Sequence, residues 1–173
     1  MDVTIKPAEK TDTAIMDNLL ELYLHDFSEF SSVEIGEDGR FGYPFLNHYW
    51  DDPDQFPFLI LADEQLAGFA LVRRETDPHN GLKTTDLAEF FVLRQFRRQQ
   101  VGSRAAIIIW NLFPGPWRVR VLVNNRSAYP FWKGLIATYS ANQFEESEQR
   151  GFLGDMKQFV FEGRLDGIKK RGC

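Results

Sequence analysis

The chain has 173 residues, 43% hydrophobic and 26% charged, with a net charge of −5, a composition that fits one folded domain over 1–173 and excludes a disordered chain. No apolar run approaches the roughly 20 residues of a membrane-crossing helix, and MDVTIKPAEK does not read as a signal peptide, so the cytoplasm is the expected compartment. The lone cysteine, Cys173, excludes an internal disulfide and a cysteine metal cluster, and no metal is expected.

Val3 to Ile5 alternates as a short strand. Asp12 or Thr13 is placed to cap a helix whose apolar stripe runs through Ile15, Leu19, Leu22, Tyr23, Phe27 and Phe30 at spacings of three and four. GEDGRFGYP, residues 36–44, is a loop, and the aromatic segment FLNHYW follows it. Phe58–Ala62 and the stretch 66–75 form a hairpin across the turn 63–65. Residues 76–85 read as a loop, and Asp86–Leu93 as a third strand. A basic turn, RQFRRQQ, leads into a helix over 101–113, which stops at Pro114-Gly115-Pro116. WRVRVLVNN alternates as a strand, 126–140 reads as a helix, and two closing segments follow, MKQFVFEGR being the clearer strand.

Charge is unevenly placed. Between Phe90 and Phe144 there is no acidic residue, while Arg94, Arg97, Arg98, Arg104, Arg118, Arg120, Arg126 and Lys133 all lie there. A basic segment in an acidic chain points either to a locally held anion or to a solvated face. The overall acidity, without a dense basic helix, argues against a nucleic-acid partner.

The unit that carries chemistry is strand, basic turn, helix: AEFFVLRQFRRQQVGSRAAIIIW. A helix start leaves about four N–H groups open and carries a partial positive charge, so a turn rich in Arg and Gln before it suits a diphosphate. Gly102 allows close backbone approach, and Ser103 adds a hydroxyl. FVLRQFRRQQVGSRA resembles the acetyl-CoA signature of the GNAT superfamily of N-acetyltransferases, Arg/Gln-x-x-Gly-x-Gly/Ala, with Arg97 first and Gly102 last. Gln100 stands where the first glycine usually lies, and backbone N–H donors serve there if Gln100 keeps φ negative. Downstream, NNRSAYPFW resembles the family's strand-end Asn, then Ala, then aromatic pair. The segments DGRFGYPFLNHYW and PFLILADEQLAGFALV also look like an uncharacterised branch of predicted acetyltransferases within it, which implies no particular acceptor.

The resemblance implies an α+β fold, a mixed and mostly antiparallel central sheet of about six or seven strands flanked by helices. It implies acetyl-CoA as cosubstrate, bound by Phe91, Val92, Leu93, Arg97, Arg98, Gln99, Gln100, Val101, Gly102, Ser103, Asn125, Ala128 and Trp132. It also implies direct attack of an amine, on a small molecule or peptide, on the acetyl thioester. Asn125 would bond the pantetheine arm, with Asn124 left to cap the helix. Trp132 occupies the position where the family often has a tyrosine acid, and an indole N–H is no acid at useful pH. Tyr129, three residues earlier on the same helix face, is the substitute candidate.

Glu89 is the candidate base, with Phe91 and Leu93 on its strand face and aromatic neighbours that raise its pKa. His48 is the runner-up; His25 and His79 have no setting that recommends them. The acceptor pocket is expected from 38–50, through Tyr43, His48, Tyr49 and Trp50, and from the C-terminal strands. A homodimer is common in the superfamily. A non-catalytic acetyl-CoA sensor is the competing reading.

Overall fold

A computed structural model describes residues 1–76, 81–151 and 153–163; His79 and the C-terminal KKRGC lie outside them. Seven strands form one sheet: β1 (Val3–Pro7), β2 (Gln55–Ala62), β3 (Gln65–Thr76), β4 (Lys83–Val92), β5 (Gly115–Leu122), β6 (Phe144–Gly151) and β7 (Gly154–Gly163). The spatial order is β1-β2-β3-β4-β5-β7-β6. Every neighbouring pair is antiparallel except β4–β5. Four helices flank it: α1 (Thr13–Phe27), α2 (His48–Asp51), α3 (Val101–Leu112) and α4 (Ala128–Tyr139). The expected mixed sheet flanked by helices is the one found.

Strand alternation assigns the faces. Phe58, Ile60, Ala70, Val72 and Val92 pack toward α3 and α4, while Leu59, Phe69, Leu71 and Phe91 pack toward α1 and α2. Burial on both faces explains why β2 and β3 read as nearly continuous apolar runs rather than alternating ones. Asp63 and Glu64 turn the β2–β3 hairpin, both at positive φ, the backbone twist a two-residue hairpin loop requires. Gly68 is demanded by its neighbour: a Cβ there would stand 2.0 Å from the Phe91 carbonyl oxygen.

Three sequence expectations shift. The buried residues of α1 are Met16, Leu19, Leu20 and Leu24, while Ile15 and Leu22 are exposed. The stripe is therefore turned by about one position, because Met16, Leu20 and Leu24 outcompete Ile15 and Leu22 for the sheet. Neither Asp12 nor Thr13 caps α1 with its side chain. Asp12 Oδ2 accepts from the Glu9 N–H, and Thr13 Oγ1 donates to the Lys10 carbonyl. Finally β4 begins at Lys83 instead of Asp86, since 83–85 pair with 74–76 of β3; β-branched Thr84 and Thr85 suit that ladder.

Candidate active site

The parallel pairing of β4 with β5 covers only Thr85↔Trp117, Asp86↔Arg118 and Leu87↔Val119. Beyond Leu87 the two strands part. One edge of β4 from Ala88 onward therefore has no β5 partner, although β3 remains paired along the other edge. Buried backbone groups need partners, so this edge is where an extended ligand gains most from hydrogen bonds. A register shift opposite Leu71/Val72 leaves Ala88 as an extra residue between Leu87 and Glu89, and such bulges re-aim side chains beside functional sites.

A cavity of about 560 Å³ opens at this fork. Phe90, Phe91 and Val92 of β4 form its floor; Tyr23, Asp26, Phe27 and Phe30 of α1 and the loop after it form one wall. Asn125, Ser127, Ala128, Phe131 and Trp132 form the opposite wall, and Arg94, Arg97, Arg98, Gln100, Gly102 and Ser103 close one end. The cavity is thus apolar along its length and cationic at one end. The first helical bond of α3 runs from the Arg104 N–H to the Gln100 carbonyl, so the N–H groups of 101–103 precede it and are the open donors of a helix start.

Gln100 adopts φ 63°, ψ 5°, and Arg98 also has positive φ. The condition of negative φ at Gln100 is not met. The chain path here is the left-handed one a glycine would take, and glutamine bears the steric cost instead. Gly102 is less constrained than expected: a Cβ would meet Phe131, Val92 and Phe90 at 3.5, 3.6 and 3.7 Å, ordinary contact distances. All three neighbours line the cavity, so a larger side chain at 102 would take space from a ligand.

Most of the basic segment is neutralised by acids from elsewhere in the chain. Arg94 and Arg97 donate to Asp26 at 2.5 and 2.6 Å, Arg97 Nε donates to the Val92 carbonyl, and the Arg97 guanidinium lies over the Phe91 ring. Burial alone would push the Asp26 carboxyl upward, but the hydrogen bonds from Arg94 and Arg97 win and hold it below its ordinary range. Arg104 donates to the Met1 carbonyl, Arg118 and Arg120 to Asp86, and Lys133 pairs with Glu146. Arg94, Arg97 and Arg98 line the cavity together with two carboxylates, Asp26 and Glu29, and Arg98 has no side-chain partner among the described residues.

The other residues expected at the cofactor divide. Phe91, Val92, Asn125, Ala128 and Trp132 line the cavity. Leu93, Gln99 and the Val101 side chain do not: the Leu93 N–H donates to the Ala67 carbonyl, Gln99 Nε2 donates to the Gln95 carbonyl, and Val101 offers only its backbone, its side chain being fully buried in the core. The capping role falls on Asn125, whose Oδ1 accepts from the Ala128 N–H and from Ser127 Oγ, while Asn124 Nδ2 donates to the Phe30 carbonyl. Trp132 packs edge-on against Phe90 at 5.1 Å. Tyr129 is turned away from the cavity, donating to Glu146 Oε1 at 2.8 Å and accepting from Lys133.

Glu89 lies under a pair of phenols. Tyr23 donates to Oε2 at 2.5 Å and Tyr43 to Oε1 at 3.1 Å. Burial raises its pKa; the two hydroxyl hydrogen bonds offset that only in part, and the Asp86 charge adds to the rise. Tyr23 is pushed well above its usual range by burial and by the Glu89 charge. Of the acceptor candidates, Tyr49 is buried beside this group and Tyr43 and Trp50 are half-buried, whereas His48 is exposed. Sequence reasoning placed Tyr23 in an apolar stripe; nothing local reveals that its hydroxyl meets a glutamate 66 positions away.

A helix start with open N–H groups, a splayed parallel strand pair and an apolar channel between them make up the cleft. The sequence model of the acetyltransferase (GNAT) family matches residues 16–135; the chain belongs to that family and is an acyltransferase of it. Comparison with curated proteins by sequence gives no match. Among solved structures, an acetyltransferase from Thermus thermophilus aligns with TM-score 0.66 at 14% identity, over 94% of this chain and 97% of that one. Spermidine N-acetyltransferase from Vibrio cholerae, in complex with CoA and spermine, aligns with TM-score 0.63 at 14% identity, over 93% and 95%. Arabidopsis thaliana NAA60, in complex with acetyl-CoA, aligns with TM-score 0.61 at 11% identity, over 93% and 98%. At these identities the likeness establishes the shared fold.

Proposed function

We propose that residues 1–173 act as one acetyl-CoA-dependent N-acetyltransferase domain, passing acetyl directly to a primary amine of a small molecule or peptide. The observation that carries this reading is the fork between β4 and β5 opening onto the cationic start of α3. Acetyl-CoA supplies the activated thioester. The N–H groups of 101–103 and Arg98 hold its diphosphate, and the free edge of β4 past Ala88 bonds the pantetheine arm. A backbone N–H on that edge also polarises the thioester carbonyl.

Glu89 takes the proton of the attacking amine. Both of its oxygens already accept from phenols, so the proton reaches it through one of them: the hydroxyl oxygen accepts from nitrogen while its own proton passes to the carboxylate. Tyr23 borders the cavity and is placed for that relay. Tyr129 and Trp132 offer no acid at the cavity, which supports a second reading, a non-catalytic acetyl-CoA sensor. Among the described residues no group of three or more His, Cys, Asp or Glu is placed to hold a metal, and none of their helices is long and apolar enough to cross a membrane.

Calorimetry with acetyl-CoA and thiol release with a panel of amines test both readings. Transfer to any amine, lost in an Arg98→Glu, Gly102→Glu double variant, supports the enzyme. Binding without transfer across the panel supports the sensor, and binding retained in the double variant refutes the site.

A further inference from the structure

On the sheet face that carries Glu89, β3, β4 and β5 bring three arginines around one buried carboxylate. Arg73 pairs with Asp86 across β3–β4, and Asp86 with Arg118 across β4–β5. Asp86 Oδ2 accepts from Arg73 Nε at 3.0 Å and from Arg120 at 2.7 Å, and Oδ1 accepts from Arg118 Nε at 3.1 Å. Glu75 bonds Arg73 and Arg118 at the outer side. The Asp86 side chain is 0% exposed, yet those of Arg73, Arg118 and Arg120 keep 36%, 21% and 30% of theirs.

A staple for the β4–β5 pair needs only enough donors to satisfy Asp86. Arg73 and Arg118 already bond one oxygen each and are themselves shared with Glu75. Arg120 adds a third guanidinium whose one bond to Asp86 leaves the rest of its five N–H donors directed elsewhere. Within this group Asp86 and Glu75 answer two of the three cations, and the third charge is half-buried, where it is strengthened by the lower local dielectric. The neighbours on this face, Gln158 opposite Arg120 and Val160 opposite Arg118, are half-buried and supply no acid. The acids beyond them on this face, Glu145 opposite Val160 on β6 and Glu162 opposite Pro116, are exposed.

The cluster and Glu89 share one face of the sheet. Leu71 pairs with Glu89 and Arg73 with Asp86, so the two groups lie two residues apart along β3, roughly 7 Å. Tyr49 spans them: burial raises its hydroxyl pKa most, Arg73 opposes the rise, and Glu89, Asp86 and Glu75 add to it. An amine delivered to Glu89 therefore places the rest of its molecule beside these arginines.

We infer that the acceptor carries a carboxylate in addition to its amine, and that Arg120, with Arg73 and Arg118, binds that carboxylate. This rests on the acetyltransfer reading and narrows its acceptor. The separation along β3 favours acids whose amine and carboxylate are several bonds apart over α-amino acids, and the planar guanidinium fork is the group that recognises a carboxylate bidentately.

The test measures binding of N-acetylated products to the CoA complex, which removes the difference in amine basicity between acids and amides. N-acetyl-ω-amino carboxylates of increasing chain length are titrated by calorimetry beside their primary amides, with acid-against-amide selectivity in kcat/KM as a second readout. The acid is expected to bind roughly tenfold or more tightly than its amide. Arg120→Gln should bring that ratio near one, and Arg120→Lys, which keeps the charge without the fork, should leave it intermediate. Equal binding of acid and amide, tighter binding of the amide, or an unchanged ratio in both variants overturns the proposal. Those failures leave acetyltransfer intact if CoA still binds and some neutral or cationic amine is acetylated; loss of CoA binding in the unmodified protein would instead remove the reading beneath it.

Discussion

Gln100 pays about 1–2 kcal/mol for a left-handed backbone that an L side chain disfavours, while glycine there would cost about 0.5–1 kcal/mol in extra unfolded-state freedom. The first figure is the larger, so Gln100→Gly is expected to stabilise the fold by up to about 1 kcal/mol in urea denaturation. On the proposed reading backbone N–H groups hold the diphosphate, so acetyl-CoA affinity should be retained. Gln100→Val, branched at Cβ, should move stability the other way. Glu89 carries the second prediction at this scale. Its carboxyl is held above its ordinary 4.5, so the fold favours the protonated acid. That contribution is complete below about pH 4.5 and is lost as pH rises through the folded value. Glu89→Gln should therefore gain on the unmodified protein as pH rises, seen in denaturation midpoints across pH. Its turnover should fall about 10²-fold or more and lose the rising limb of the pH–rate profile.

On β4, Asp86 has the opposite sign. Burial pushes it up, but the Arg118 hydrogen bond and the charges of Arg120, Arg118 and Arg73 prevail and hold it below its ordinary 3.8. Its stabilisation is present above that value and disappears as pH falls through the folded pKa. Asp86→Asn removes the counter-charge of three arginines and should cost about 3–5 kcal/mol at neutral pH, a gap that narrows in acid. The same strand shows what could be read in advance. Period two correctly put Glu89 and Phe91 on one face, because the pleat is a local property. The hydrogen bonds from Tyr23 and Tyr43, the Asp86 cluster and the bond from Arg94 to Asp26 were illegible, since each joins segments far apart in the chain. In α1 even the local pattern misled: two overlapping stripes exist, and only packing on Leu59, Phe69 and Leu71 selects the one through Met16, Leu20 and Leu24. The basic turn before α3 was readable because it is contiguous in sequence; what was missed is that Asp26, from another element, occupies two of its arginines.

At the scale of the whole molecule, the cavity separates α1 on one side of the sheet from α4 on the other, with the parted edge of β4 as its floor. A ligand there fills a seam in the core instead of decorating a surface, so its binding energy adds to folding. At about a hundredfold excess over Kd the gain is about 2.7 kcal/mol, and for a chain of this size each kcal/mol raises Tm by about 2–4 °C. Acetyl-CoA should therefore raise the melting temperature by roughly 5–11 °C, less at high salt, because a diphosphate facing exposed arginines is screened. Hydrogen exchange should locate the gain. Amides on the free edge of 88–92 and in the first turn of α3, 101–103, should slow markedly when acetyl-CoA is added. Those of the β1–β2 pair, already bonded and remote from the fork, should gain only what global stabilisation confers. A uniform slowing along the chain would mean that the ligand binds without entering the seam, and the channel between α1 and α4 would have to be given up.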